Sequence, residues 1–240
     1  MDDDPGLRVG ELIAVLTRSK WLILGCVIVC FGAAVLYARK ATRVYQATVS
    51  LRIQEKQPNL PDVFRTFSQS NDVATDIEVL VSRSLAEEAT RILGLQVRLV
   101  SPVGVARDAV IEDIQAAPDA ARMDYRLTRQ SDGSFDVQNA DGLRLSNIRP
   151  GDQLALPGVT LRLKTAATRY AELRFGVRPL SQAVVRSSQL SAGRASKDAD
   201  IIKLRYEDTD RGLVWKVPNV IAERFIEGRQ ETQKAETRNQ

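Results

Sequence analysis

The 240-residue chain contains no histidine. A Ser-His-Asp triad, a Cys-His pair and a His-ligated zinc each need an imidazole, so all three are excluded. Its two cysteines, Cys26 and Cys30, both lie in one apolar run. The rest of the chain therefore has no thiol for a disulfide, a thiolate metal site or a cysteine nucleophile. That pattern suits an exported domain that avoids thiol chemistry. Aromatic residues are sparse, the formal net charge is only +4 and no dense Lys/Arg run occurs, so no nucleic-acid partner is expected. No G-x-x-x-x-G-K-[ST] loop is present to cradle a nucleotide phosphate. Apolar content is that of an ordinary globular chain, so a real core is affordable.

What the sequence does have is WLILGCVIVCFGAAVLYA, Trp21 to Ala38, without a charge. At the helical rise this run is about 27 Å long, against a bilayer hydrocarbon thickness of about 30 Å. Lys20 at one end and Arg39 and Lys40 at the other are placed to snorkel, and Trp21 and Tyr37 sit where amphipathic rings prefer the interface. A buried helix of a soluble protein rarely lacks every charge over so many turns. A cleaved signal peptide fits poorly, because Asp2, Asp3, Asp4 and Glu11 precede the run and no small-x-small site follows it. A transmembrane helix is the reading adopted. Arg8, Arg18 and Lys20 before it nearly balance Arg39, Lys40 and Arg43 after it, so local charge does not orient it. Cys26, Cys30 and Ala34 form a small-residue stripe that would let helices approach in lipid. Before the span, Asp4 and Pro5 are placed to start a short helix with Leu12, Ile13 and Leu16 on its apolar face.

After the span, Tyr45, Ala47, Val49, Leu51 and Ile53 alternate with polar residues, which predicts a half-buried strand close to the bilayer. Residues 56–70 read as a polar loop. Val73, Ile77 and Leu80 predict a helix. Ser84 and Glu87 look like the capping box of a second, with Leu85, Ala89, Ile92 and Leu93 as its face and Gly94 as its stop. Leu95 to Val100 reads as a short strand and 108–117 as a short helix ahead of Pro118. From Arg122 to Lys164, short alternating runs separated by Asp132-Gly133, Asp141-Gly142, Gly151-Asp152 and Pro157-Gly158 predict a β-rich module. Then come a strand at Leu173 to Val177, a helix from Leu180 with Val184 and Leu190, a loop over 191–200, and a strand with Ile202, Leu204 and Tyr206 on one face. The last segment is helical from about Asp210, with Leu213, Val217, Val220, Ile221 and Ile226 as apolar positions. Pro218 is expected to kink it or delay its start. Its polar tail either frays or belongs to a longer helix.

Taken together, the order of these parts resembles the N-terminal domain of the polysaccharide co-polymerases, or chain-length determinant proteins. The features that carry it are the span introduced by RSKWLIL, the strand VYQATVSLRI, the paired helices of DIEVLVSRSLAEEATRILGL, and the strand IIKLRYEDTD leading to a helix with Asn219. The β-rich segment around SDGSFDVQNADG is similar to that of larger, tyrosine-autokinase-associated members, here without the kinase loop. Relatives continue through a long helix to a second span, which leaves open a fragment or split-gene product.

The resemblance implies an α+β fold. It comprises a cytoplasmic amphipathic tail (1–20), one transmembrane helix (21–38), a membrane-proximal periplasmic α/β domain (39–209, β-rich insertion 122–164) and the start of a long C-terminal helix (210–240). It also implies a single-pass protein of the bacterial inner membrane, N-terminus in the cytoplasm, that scaffolds chain-length control and export of O-antigen, capsule or exopolysaccharide. The partners implied are further copies of itself, a polysaccharide polymerase, export proteins, the polysaccharide and the lipid bilayer. No catalytic, cofactor-binding or metal-ligating residue is assigned, and no cofactor. Three acidic groups, Asp76 with Glu78, Glu87 with Glu88, and Glu207 with Asp208 and Asp210, read as solvated acids rather than acid/base pairs. A periplasmic adaptor of a secretion or efflux system is the alternative; it predicts a long heptad hairpin in mid-chain, which is not seen. An anchored Asp/Glu glycosidase and a receptor sensing domain fit the sequence less well.

Overall fold

The computed structural model describes residues 19–40, 43–52, 73–196 and 201–238. The segment around Asp4 to Leu16, Ile53 and the 56–70 loop lie outside the described residues. The chain divides into two units, Met1–Arg43 and Val44–Gln240.

The first unit holds helix α1 (Lys20–Lys40), which contains the whole uncharged run. Trp21, Val29, Phe31 and Tyr37 are each at least 70% exposed, and none of its candidate span is buried inside the protein. Such an apolar cylinder is costly in water and at rest in hydrocarbon, with its backbone bonded internally.

In the second unit, β1 (Tyr45–Arg52) alternates half-buried and exposed side chains as its pattern requires. It runs antiparallel to β11 (Ile201–Asp208), Tyr45 opposite Asp208 and Arg52 opposite Ile201. A third strand, β10 (Ser191–Arg194), pairs with the other side of β11. That corrects the expected loop over 191–200 at Ser191–Arg194, and residues 197–200 lie outside the described residues. A four-residue edge strand of sequence SAGR has no apolar alternation to announce it; its partner creates it.

Helix α2 (73–80), α3 (Arg83–Ile92), α5 (Leu180–Ser187) and α6 (Lys216–Arg238) accompany this sheet. Val73, Leu80 and Ala89 share one core with Ile202, Leu204, Tyr206, Val217, Ile221 and Phe225. Thr90 and Ser187 meet at 2.7 Å between α3 and α5, one hydroxyl donating to the other while the Ala86 carbonyl, within reach of both, accepts the remaining proton. Small side chains let these helices close, and the buried hydroxyls satisfy each other.

Details of the helices depart from expectation. Ser82, not Ser84, caps α3: its backbone is extended and its Oγ accepts from Leu85 N–H. Only Val81 and Ser82 separate α2 from α3, and Ser82 is the one directly before the helix and the one with a side-chain acceptor. The α3 face is Ala86, Ala89 and Thr90, which turns Ile92 outward at 46% exposure. On α6 the buried stripe is Val217, Ile221 and Phe225, four residues apart, so Ile226 is rotated about 100° away from it and half exposed. Pro218 delays the helix rather than kinking it: turns from Asp210 occupy the chain until Lys216, and Pro218 falls in the first turn, where no N–H acceptor is needed.

The second core lies between two sheets. One has the order β2 (Val97–Ser101), β9 (Glu172–Val177), β4 (Met123–Arg129), β5 (Phe135–Asn139), β6 (Arg144–Ile148). The other is β3 (Ile111–Ala116), β8 (Val159–Leu163), β7 (Gln153–Leu156). Every strand pair is antiparallel. Val97, Tyr125, Leu127, Phe135, Leu161 and Phe175 are among the residues buried between the sheets. The β-rich run 122–164 thus shares its core with strands on both sides of it in sequence. The helix expected over 108–117 exists only as a single turn, α4 (Arg107–Val110). β3 takes the rest, because Ile111 and Ala116 gain partners in Leu163 and Val159 across the sheet. Tertiary pairing overrides a weak local preference.

Gly94 links the two cores. It ends α3 with φ +56°, and a Cβ there would lie 2.6 Å from Ile114 Cγ2. Gly94→Ala is expected to destabilise the chain by about 1–2 kcal/mol from left-handed backbone alone, with the Ile114 overlap added. A urea midpoint equal to wild type would show that the turn accepts a side chain.

Candidate functional site

Two polar clusters stand where the elements meet. The first is built on β11. Its alternation buries Ile202, Leu204 and Tyr206, and the next inward position is Asp208, whose side chain is 3% exposed. Arg186 of α5 reaches it with both arms of its fork, Nε to Oδ2 at 2.6 Å and Nη2 to Oδ1 at 2.5 Å. Tyr206 OH donates to Oδ2 at 2.8 Å and Asp210 N–H to Oδ1 at 2.7 Å. Burial pushes the Asp208 carboxyl up, but the Arg186 guanidinium and the other donors outweigh it and hold the group below the ordinary carboxylate range. Burial, with the neighbouring carboxylate, raises the Tyr206 phenol. A carboxyl held ionised and fully bonded is no general acid; this cluster locks α5 onto the sheet.

The second cluster joins the two cores. Arg107, 3% exposed, donates to the carbonyls of Leu93, Gly94 and Val97 at 2.8, 2.7 and 3.2 Å. The first two stand at the end of α3, where a cation is favoured, and the third opens β2. Its guanidinium pairs with Asp108 at 2.7 Å, and Asp108 also receives Lys216 of α6 at 2.5 Å. The Arg107 backbone N–H donates to Asp210 Oδ2 at 3.0 Å. Desolvation raises the Asp108 carboxyl; Arg107 and Lys216 overcome it, and the net shift is downward. Beside it is a cavity of about 470 Å³ whose lining includes Arg107, Asp108, Glu112, Arg162 and Lys164. Lys164 pairs with Glu112 and Arg162 with Asp113, so the groove's charges are largely spent on each other.

The acidic groups singled out in the sequence fall in three different places. Asp76 bonds Arg229 of α6 at 2.6 Å, Glu87 bonds Arg83, and Glu88 faces Arg224 at 3.5 Å. Glu207 is exposed. Asp208 was expected to be solvated; it is buried, because β11 continues its inward alternation through it. Arg186 and Arg107 escaped sequence reasoning. Arg186 lies 22 residues from Asp208, and no local spacing signals such a pair.

The N-terminal part of this structure carries the anchor helix, the edge strand β1 and the helix pair up to the Gly94 turn. Residues 6–93 match the family model Wzz, chain length determinant protein. The match supports a polysaccharide co-polymerase family. No curated protein matches the chain. The Wzz match ends at the foot of the two-sheet part, so β2 to β9, β11 and α6 lie beyond it. The Wzz family is membrane-associated, and α1 is the one helix among the described residues long and apolar enough to cross a membrane.

Proposed function

We propose that this chain is a membrane scaffold of the polysaccharide co-polymerase type, taking part in chain-length control and export of O-antigen, capsule or exopolysaccharide. The observation that carries the reading is the Wzz match over residues 6–93, which takes in the span and the first elements outside it. The protein works without catalytic residues of its own. It sits in the bacterial inner membrane with its N-terminus in the cytoplasm and Val44–Gln240 in the periplasm, assembles with copies of itself, and acts beside a polymerase and export proteins. Two features support this over an adaptor with a mid-chain helical hairpin: among the described residues between α1 and α6 the longest helix is the 10-residue α3, and strands fill the rest.

Deletion of the gene is expected to shift the length distribution or yield of the cell's surface polysaccharide, read on a silver-stained or immunoblotted gel, and the wild-type gene should restore it. An unchanged distribution would remove the scaffold reading. Crosslinking in native membranes that returned only monomer would remove the oligomer.

A further inference from the structure

The five-stranded sheet has one face in the core and one turned outward, and the outward face is unusual. Pairing brings Ser101, Arg174, Arg126, Gln138 and Arg144 into a single row across all five strands. Arg126 and Arg174 are direct cross-strand neighbours. Like charges so placed are destabilising, and sheets ordinarily avoid them. Glu172 offsets this only partly: the one carboxylate oxygen, Oε1, serves both Arg174 and Arg126. Among the described residues Arg144, and Arg98 in the next row, have no ionic partner.

That next row places Arg98, Gly176 and Asp124 side by side. Gly176 is the penultimate residue of an interior strand, where a β-branched residue would be the ordinary choice. A Cβ there would lie 2.5 Å from Asp124 Oδ1 and 3.0 Å from Arg178 Nη1. The Asp124–Arg178 pair at 2.9 Å occupies the space that a side chain would take and covers the glycine. Beside this pair opens a cavity of about 560 Å³, lined among others by Val100, Asp124, Arg126, Gln138, Arg174 and Arg178. Val100 bulges from β2 and is 51% exposed.

A guanidinium fork matches a carboxylate in two parallel bonds. A row of them at the strand spacing of about 4.8 Å addresses charges repeated along a length, which a single small anion does not have. Amide and hydroxyl groups in the same row suit sugar hydroxyls, and the exposed Val100 side chain suits the apolar face of a ring. We propose that this face binds an acidic polysaccharide through its carboxylates, Arg126 and Arg174 being the central contacts. The proposal rests on the scaffold reading above and specifies the polymer that reading leaves open.

The test uses the full chain in nanodiscs of zwitterionic lipid, with size-defined polygalacturonate as probe, dextran of equal length as the neutral control and free anionic vesicles as the lipid control. Calorimetry is expected to show polygalacturonate binding that weakens with salt, and no dextran binding. Arg126→Gln/Arg174→Gln should weaken binding at least tenfold with an unchanged melting midpoint, and the Lys/Lys variant should fall between, keeping charge but losing the fork. The site is overturned if polygalacturonate does not bind, if dextran binds equally, if the double variant binds as wild type, or if only the vesicles bind. In cells, a gene deletion that shifts polymer length while Arg126→Gln/Arg174→Gln leaves it as in wild type would sink the site and leave the scaffold standing. A deletion without effect would sink the scaffold, whatever the calorimetry shows.

Discussion

Asp208→Ala is expected to lower the unfolding free energy of the full chain by about 3–5 kcal/mol, the usual cost of removing one member of a buried ion pair. The loss is not the worth of the pair itself. It is the cost of leaving the Arg186 guanidinium, 18% exposed, without a counter-charge, together with the freed Tyr206 hydroxyl and Asp210 N–H. Removing both charges with side chains of similar volume, Asp208→Leu with Arg186→Met, should therefore cost far less than the single substitution. Denaturant unfolding of the two variants, followed by circular dichroism, checks this; a double variant as unstable as Asp208→Ala would show that the cluster stabilises by more than charge compensation.

The same carboxyl sets a pH dependence. In the unfolded chain an aspartate titrates near 3.9, whereas Asp208 and Asp108 are both held lower in the folded protein. On acidification from about pH 5 the unfolded chain takes up protons that the folded chain still refuses, so stability falls. The contribution is complete above the unfolded value and gone once the folded carboxyls also protonate. The acid loss should be visibly smaller in the Leu/Met double variant, measured as midpoint against pH.

Phe175→Ala is expected to cost about 3–5 kcal/mol, the usual range for emptying an aromatic site in a core. Phe175 lies on β9, between β2 and β4, and is 1% exposed. Its ring packs on Tyr125 with centroids 5.3 Å apart. The transfer of the ring supplies about 1.5–3 kcal/mol of the loss; the remainder is the cavity, which the two flanking strands cannot collapse without breaking register. Phe175→Leu keeps most of the volume and should lose less than half as much. Thermal melting of both variants gives the comparison, and an Ala variant within 1 kcal/mol of wild type would mean that the sheets can close over the gap.

How far the sequence reaches is clear from particular elements. β1 and β11 were legible because each has one buried face, and a two-residue period states which. α1 was legible because eighteen uncharged residues have one comfortable solvent. The strands between Met123 and Leu163 were legible from their turn residues, all of which fall between strands. By contrast β10 and β3 were not legible: their neighbours in sequence do not select a strand, and their partners in space do. Ser82 could not be told from Ser84 as the α3 cap until the two-residue break between α2 and α3 was known.

The candidate surfaces divide the same way. The sequence by itself determined the anchor, the absence of imidazole and of any thiol outside it, and the resemblance of the N-terminal part, because each is a property of composition or of contiguous residues. The tertiary structure alone decided that Asp208 is a buried partner of Arg186, that Arg107 ties the end of α3 to both cores, and that Arg126 and Arg174 share a row across the sheet. Those depend on register between strands and on packing between elements tens of residues apart, and no local spacing encodes either.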